Sequence, residues 1–402
     1  MHNVFMSGPP RSGSTAFCSA LNVNKQTNIV VDPCVDLFRS WRNTILKNSI
    51  DLWSEDLENA PFLDYYYSDK YIKIMEYIQE SDPNVPLEKS EWDRILPKIL
   101  KRMQITCPEL IPYFKNTYAE TYRDTIQNIL DIIPKARKIE NLTMVGIRES
   151  WIIEMFFCLA KTFPKAKFII LLRDVRAFIS SALRQEDPNR IGHILSSARG
   201  WRKILAFTVY YQKNPLFKER LLVMSYEKFI QEPEKQLNKA CNFLGIEYDK
   251  RMLNTDNYID YSTGKTWLGN SNYETVTSGI SAHRIDRWRQ FLPLDVCKVI
   301  ELTCFPDLHL IECEPTQEID SVFQDYEDLV FMIRNEKNTL GWRISNRAPE
   351  QEYGLEMVRR KILLSSFKEY DVDIIKRMFL FKELFDLLKQ KPISSILGTD
   401  SV

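Results

Sequence analysis

The chain has 402 residues, 44% hydrophobic, 12% aromatic and 27% charged, and its 54 basic and 54 acidic side chains cancel to a formal net charge of zero. That length can bury one large core or two smaller ones. The balanced charge leaves no global positive field for nucleic acid or an anionic membrane, so any anion binding has to be local. Only 12 glycines and 19 prolines, beside many aromatics, exclude a disordered or fibrous chain. The opening MHNVFMSGPPRSGSTAF has neither the basic n-region nor the apolar h-region of a signal peptide. The most apolar stretches, Trp151–Ala160 and Phe168–Leu172, fall short of the roughly 20 residues that span a bilayer. Eight cysteines are scattered singly without a CxxC pair. The expectation is a cytoplasmic chain with reduced, buried thiols, without zinc and without a membrane or nucleic-acid partner.

Residues 3–7 (NVFMS) predict a short strand, Gly8-Pro9-Pro10 a break, and Ser14–Leu21 a helix. Residues 36–135 predict mainly helix, punctuated by Pro61, Pro83, Pro86, Pro97, Pro108 and Pro134. At Thr143 the pattern changes. TMVGI reads as strand, Trp151–Thr162 as helix, KFIILL as buried strand, Val175–Leu183 as helix, RLLVMSY as strand, and Glu232–Leu244 as a helix closed by Gly245. Strands alternating with helices need right-handed crossovers, so the fold class is α/β, a parallel sheet flanked by helices. After about Pro315 no strand signal stands out, and amphipathic helices are expected, Val372–Leu388 among them. They would pack on the core or on a partner chain, a homodimer through this tail included. The expected division is an α/β domain over 1–314, with a helical insertion at about 36–140, and a helical extension over 315–402.

Two segments carry anion chemistry. Gly8-Pro-Pro-Arg-Ser-Gly-Ser-Thr15 lies between the first strand and the first helix, where a phosphate cradle belongs. Gly13 lets the backbone approach an anion, and the helix start offers N–H groups as far as Ala16. Ser12, Ser14 and Thr15 add hydroxyl donors. The spacing nearly matches the Walker A loop, but Ser14 stands where its Lys belongs and the cation has moved to Arg11. Capping of the helix by Ser is the purely structural alternative. In the second segment Arg173 ends a buried strand and points into the crevice where α/β sheets bind ligands. Ser181 follows two turns into the next helix, so guanidinium and hydroxyl can converge on one phosphate. Taken alone, Arg173-Asp174 could be a surface ion pair closing the strand; paired with the first loop at this spacing, it reads as an anion site.

Together these motifs resemble the sulfotransferases that use 3′-phosphoadenosine 5′-phosphosulfate (PAPS). Their strand–Pro-(Lys/Arg)-Ser-Gly-Thr-Thr–helix stands here as Pro10-Arg11-Ser12-Gly13-Ser14-Thr15, a P-loop-like element. The Arg form is more similar to the tyrosylprotein and bacterial branches than to the cytosolic one. The family's 3′-phosphate motif, Arg at a strand end and Ser eight residues on, is matched by Arg173 and Ser181, although Val175 replaces the usual Pro. The resemblance implies that Tyr226 lies beside the adenine and that Arg287, with Arg284 as its rival, closes over the 3′-phosphate. Arg148, in Arg148-Glu149-Ser150, keeps the positive charge of the family's second strand unit but not its Pro. The likeness runs from about residue 3 to 292.

The implied reaction is in-line transfer of a sulfuryl group from PAPS to an acceptor hydroxyl or amine, with PAP as product and no metal. Arg11, helped by Arg148, would stabilise the departing phosphate. The His that serves as base in the cytosolic branch has no counterpart, since His2, His193, His283 and His309 all lie outside the interval between the two cofactor motifs. Val30-Val31-Asp32-Pro33 resembles the strand ending in Glu-Pro of the tyrosylprotein branch and makes Asp32 the expected base. Asp-Pro reads just as well as a helix N-cap. Asp36, Glu149 and His283 are the further choices. The expected acceptor is a small hydroxylated or amine metabolite. A P-loop small-molecule kinase and a non-catalytic nucleotide-binding module are the competing readings.

Overall fold

A computed structural model describes residues 1–58, 65–150, 152–183, 194–269, 280, 285–316, 349–365 and 370–390. Five short apolar runs form strands β1 (His2–Ser7), β2 (Thr27–Val31), β3 (Met144–Arg148), β4 (Lys167–Leu172) and β5 (Leu221–Ser225). They make one sheet in the order β2-β3-β1-β4-β5, with every pairing parallel. A two-stranded antiparallel ribbon, β6 (Ile259–Asp260) and β7 (Lys265–Thr266), stands apart.

Because successive strand residues point to opposite faces, each strand feeds two cores. Val4, Met6, Ile29, Ile169, Leu171 and Met224 face one apolar cluster with Phe17 and Leu21 of α1 (Ser14–Leu21). Phe5, Val30, Ile147, Phe168, Ile170 and Leu172 face a larger one on the other side. That larger face is covered by the helices between β2 and β3: α2 (Val35–Lys47), α3 (Asp69–Glu80), α4 (Lys89–Thr106), α5 (Ile111–Phe114) and α6 (Tyr122–Arg137). The hydroxyl of Thr121 accepts from the Asp124 N–H at 3.0 Å to start α6, and Lys138, with φ 52°, ends it. The same cluster takes in α7 (Phe156–Thr162), α8 (Val175–Leu183) and α9 (Ile194–Lys213), with the Phe156 ring of α7 5.0 Å from that of Phe168 on β4. The chain continues through α10 (Tyr226–Gln231), α11 (Pro233–Leu244), α12 (Trp288–Phe291) and α13 (Leu294–Cys304). Gly245, at φ 74°, closes α11.

The tail supplies α14 (Pro349–Leu364), α15 (Val372–Phe379) and α16 (Lys382–Lys389). These pack on the core: Arg359 pairs with Asp307 at 2.7 Å, Lys376 with Glu76 at 2.5 Å, and Phe381 stacks on Tyr210 at 4.3 Å.

Three elements depart from the sequence expectation. The helix expected over Trp151–Thr162 begins as a 3-10 turn, Ile152–Met155, before α7, and Trp151 lies outside the described residues. The single helix expected over Val372–Leu388 is broken at Leu380, whose φ of 65° ends α15. Nothing in the sequence pattern pointed to α9. Its Arg199, Arg202 and Lys203 are buried with its apolar residues, so no polar stripe marks a helical period.

Gly146 lies in the middle of β3 against β1. A Cβ there would stand 2.2 Å from Val4 Cγ1 and 2.4 Å from the Val4 carbonyl oxygen. The backbone oxygen cannot yield, so overpacking outweighs the gain in strand propensity. Gly146→Ala is expected to cost about 1–3 kcal/mol in a urea-unfolding measurement. An unchanged midpoint would show that β1 and β3 can separate without cost.

Candidate active site

The parallel register brings the carboxyl ends of the strands to one edge. Met6 and Val31 both pair with Arg148, Ser7 with Ile170, and Leu172 with Ser225. The chain leaves neighbouring strands β1 and β4 in opposite directions, toward β2 and β5, which opens a crevice between them. The Gly8–Thr15 loop enters that crevice directly, because a Cβ on Gly8 would meet the Leu171 carbonyl oxygen at 2.2 Å.

The loop turns through two left-handed residues, Arg11 (φ 63°) and Gly13 (φ 77°). Gly13 precedes α1 and brings no side-chain cap, so the first turn of the helix faces the crevice with its positive end. A Cβ on Gly13 would lie 2.3 Å from the Tyr226 ring, so only glycine lets the loop rest on that ring. Arg11 Nε donates to Ser181 Oγ at 3.2 Å, and Arg173 Nη1 donates to the Arg11 carbonyl. The Arg173 guanidinium lies 4.3 Å over the Tyr226 ring. The structure thus joins Arg11, Gly13, Arg173, Ser181 and Tyr226 into one cluster. Arg287 stands half-buried at the start of α12, which packs against α8, the helix of Ser181.

The alternative reading of Arg173-Asp174 as an ion pair closing the strand does not hold in the structure. Asp174 is bound by Arg176, with Nε 3.0 Å from Oδ1 and Nη2 2.6 Å from Oδ2, and Arg176 Nη1 continues to Glu301 at 2.5 Å. With Asp174 engaged there, Arg173 turns to the loop.

On the other side of β1 stands an acidic pair. Asp32 Oδ1 is 2.7 Å from Arg148 Nη1, and its carbonyl accepts from Arg102 Nε at 3.2 Å and Thr106 Oγ1 at 3.1 Å. The expected N-cap role of Asp32 is corrected by the structure. Its φ of 52° and its Arg148 partner turn it from the helix, Cys34 is the N-cap of α2, and Glu149 Oε1 accepts the Cys34 N–H at 2.5 Å. Asp32 is about one-fifth exposed (21%), whereas Glu149 is fully buried. Burial first, and the Asp32 charge second, push the Glu149 carboxyl up to about 8. Asp36 is spent on Arg39 at 2.9 Å, and His283 and Arg284 lie outside the described residues. Sequence reasoning missed Arg102 and Thr106, which no local pattern ties to residue 32.

Along this edge Ser7 Oγ, Ser12 Oγ, Arg148 Nε and Arg173 Nε are buried without a hydrogen-bond partner among the described residues. Four orphaned donors beside a helix start suit a phosphorylated ligand with more than one anionic group. Ser14 and Ala16 belong to the first turn of α1, and Thr15, half-buried, stands between them.

A model of the sulfotransferase family matches residues 3–250. Protein-tyrosine sulfotransferase 1 of Danio rerio is 28% identical over 143 residues, 34% of this chain and 39% of that protein. Carbohydrate sulfotransferase 3 of Tetronarce californica is 26% identical over 161 residues, 36% of this chain and 35% of that protein. The chain therefore spans well under half the length of these curated relatives. The sulfotransferase domain of the Synechococcus PCC 7002 olefin synthase is similar at 19% identity and a TM-score of 0.42, covering 76% of this chain and 95% of that one.

Glu149 gives the site a pH signature. Folded, it keeps its proton to about pH 8; unfolded, it ionises as an ordinary glutamate near 4.5. The folded chain binds more protons in between, so the stability this group contributes is full below the unfolded value and is lost as pH rises through about 8. The thermal midpoint is expected to fall between about pH 5 and about pH 8.5, and to fall less in Glu149→Gln. Identical slopes for the two proteins would contradict a buried, protonated Glu149.

Proposed function

The chain belongs to the sulfotransferase family, and from that premise we propose that it moves a sulfuryl group from PAPS to a hydroxyl or amine of a small-molecule acceptor, releasing PAP. The observation that carries this reading is the cluster in which Arg11 meets Ser181 and Arg173 meets the Arg11 carbonyl, with Ser12 Oγ and Arg173 Nε lacking hydrogen-bond partners among the described residues. When bound, PAPS supplies the sulfuryl group and a phosphate that leaves. Arg173 and Ser181, with Arg287 from the adjoining helix, would hold the 3′-phosphate, and Tyr226 would lie beside the adenine. The loop donors from Arg11 to Ala16 would hold the 5′ side, where Arg148 adds charge without needing a metal. Asp32 would take the proton given up by the acceptor. It is the partly exposed member of the acidic pair, and Arg148 fixes its direction. The buried Glu149 cannot reach an acceptor and instead holds the backbone at Cys34.

A second reading of the acceptor, a protein tyrosine or a sugar hydroxyl, is favoured by the names of the relatives. Incubation with labelled PAPS and a panel of hydroxylated metabolites, amines, tyrosine peptides and oligosaccharides tests both. Gain of one sulfuryl group identifies the acceptor class, and no gain on any class counts against transfer. Arg173→Ala should weaken adenosine 3′,5′-bisphosphate binding by about 1.5–3 kcal/mol in magnesium-free calorimetry, the worth of a charged hydrogen bond. Unchanged affinity would contradict its assignment to the donor. Asp32→Asn should lower turnover by about 10²–10⁴-fold at unchanged nucleotide affinity. Full turnover in that variant would move the base elsewhere.

A further inference from the structure

The backbone of Arg173 is fastened by a residue outside the nucleotide motifs. Trp201 Nε1, on α9, donates to the Arg173 carbonyl at 2.7 Å, and both residues are buried. β4 ends at Leu172, which is the last residue of its ladder with β5, so the Arg173 carbonyl lies beyond the strand pairing. The indole N–H supplies what the sheet does not. The same arginine is held at its other end by the Arg11 carbonyl and the Tyr226 ring.

The helix that carries Trp201 is itself pinned at the next residue. Arg202 Nη1 stands 2.8 Å from Glu356 Oε2 of α14 and donates to the Thr303 carbonyl at 2.8 Å. Its Nη2 donates to Tyr67 Oη at 3.1 Å, and that hydroxyl donates to Glu356 Oε1 at 2.6 Å. A buried ion pair tied into α13, α14 and the insertion fixes the rotation of α9, and with it the direction of the indole N–H.

We propose that Trp201 is a positioning residue of the donor site, holding the Arg173 carbonyl so that its guanidinium is set for the 3′-phosphate. The inference rests on the reading of Arg173 as a ligand of that phosphate. A misplaced guanidinium costs affinity only for ligands that carry the group it binds. A tryptophan that merely fills the core would affect all ligands alike, or none.

Trp201→Phe keeps most of the apolar volume and removes the N–H. Calorimetry with adenosine 3′,5′-bisphosphate and with adenosine 5′-monophosphate separates the cases. The expected result is about tenfold weaker binding of the bisphosphate, with the monophosphate within about twofold of wild type. Equal losses on both ligands, or no loss on either, would overturn the proposal. Arg173→Ala, run beside it, separates the two levels of the argument. If it weakens the bisphosphate and Trp201→Phe does not, the role of Trp201 fails alone; if neither weakens it, the donor assignment fails and carries this inference with it. Should Trp201→Phe not fold, benzothienylalanine at position 201 replaces the N–H by sulfur in a ring of the same shape, and the same pattern is expected of it.

Discussion

Guanidinium groups gathered at one end of a parallel sheet repel each other and lose hydration when buried, and the site is organised around meeting that cost. Arg148, on β3, is 3% exposed and Arg173, just past the end of β4, is 8% exposed, while Arg11 lies in the loop that follows β1. Each is compensated differently. Arg148 has the Asp32 carboxylate, Arg173 has a carbonyl and an aromatic face, and Arg11 has a serine hydroxyl. Burial of the Arg148 and Arg173 guanidiniums at one edge of the sheet strengthens their interaction with an anion that enters it.

The neighbouring Asp174 and Arg176 serve the opposite purpose. Arg176 is shared between Asp174 and Glu301 and covered by Trp288 at 4.4 Å, so its charge is neutralised within the core. Two arginines three residues apart thus have different direct partners: Arg176 pairs with two carboxylates, whereas Arg173 meets a carbonyl and an aromatic ring. Asp32 and Glu149 divide in the same way on the acidic side. The partly exposed carboxylate keeps a cation partner, while the fully buried one retains its proton, which limits like-charge repulsion between them.

The cluster of Arg11, Gly13, Arg173 and Ser181 was legible in the sequence because its information is short-range. A strand, a Gly-rich turn and a helix lie within residues 2–21, and Arg173 and Ser181 are separated by little more than two helical turns. The strands were legible as apolar runs between Gly and Pro, which is how a strand covered on both faces reads. α9 was not, since buried arginines and a buried lysine erase the stripe that would reveal it. Asp32 was readable as a residue of interest but not in its geometry. The local Asp-Pro cap signal is overridden by Arg148, 116 positions away, and by Arg102 from α4.

That contrast separates the two halves of the site by how they are held. The donor loop is fixed by its own turn, by Gly8 against β4 and by Gly13 against Tyr226. The acidic pair is fixed by residues that arrive from elsewhere: Arg102 and Thr106 of the insertion on the Asp32 carbonyl, and Glu149 on the Cys34 N–H. An inserted segment that grips the candidate base can change which acceptor approaches it without disturbing the loop proposed to hold a nucleotide. The same sheet end can thus keep one donor chemistry while its acceptor side varies with the helices laid over it.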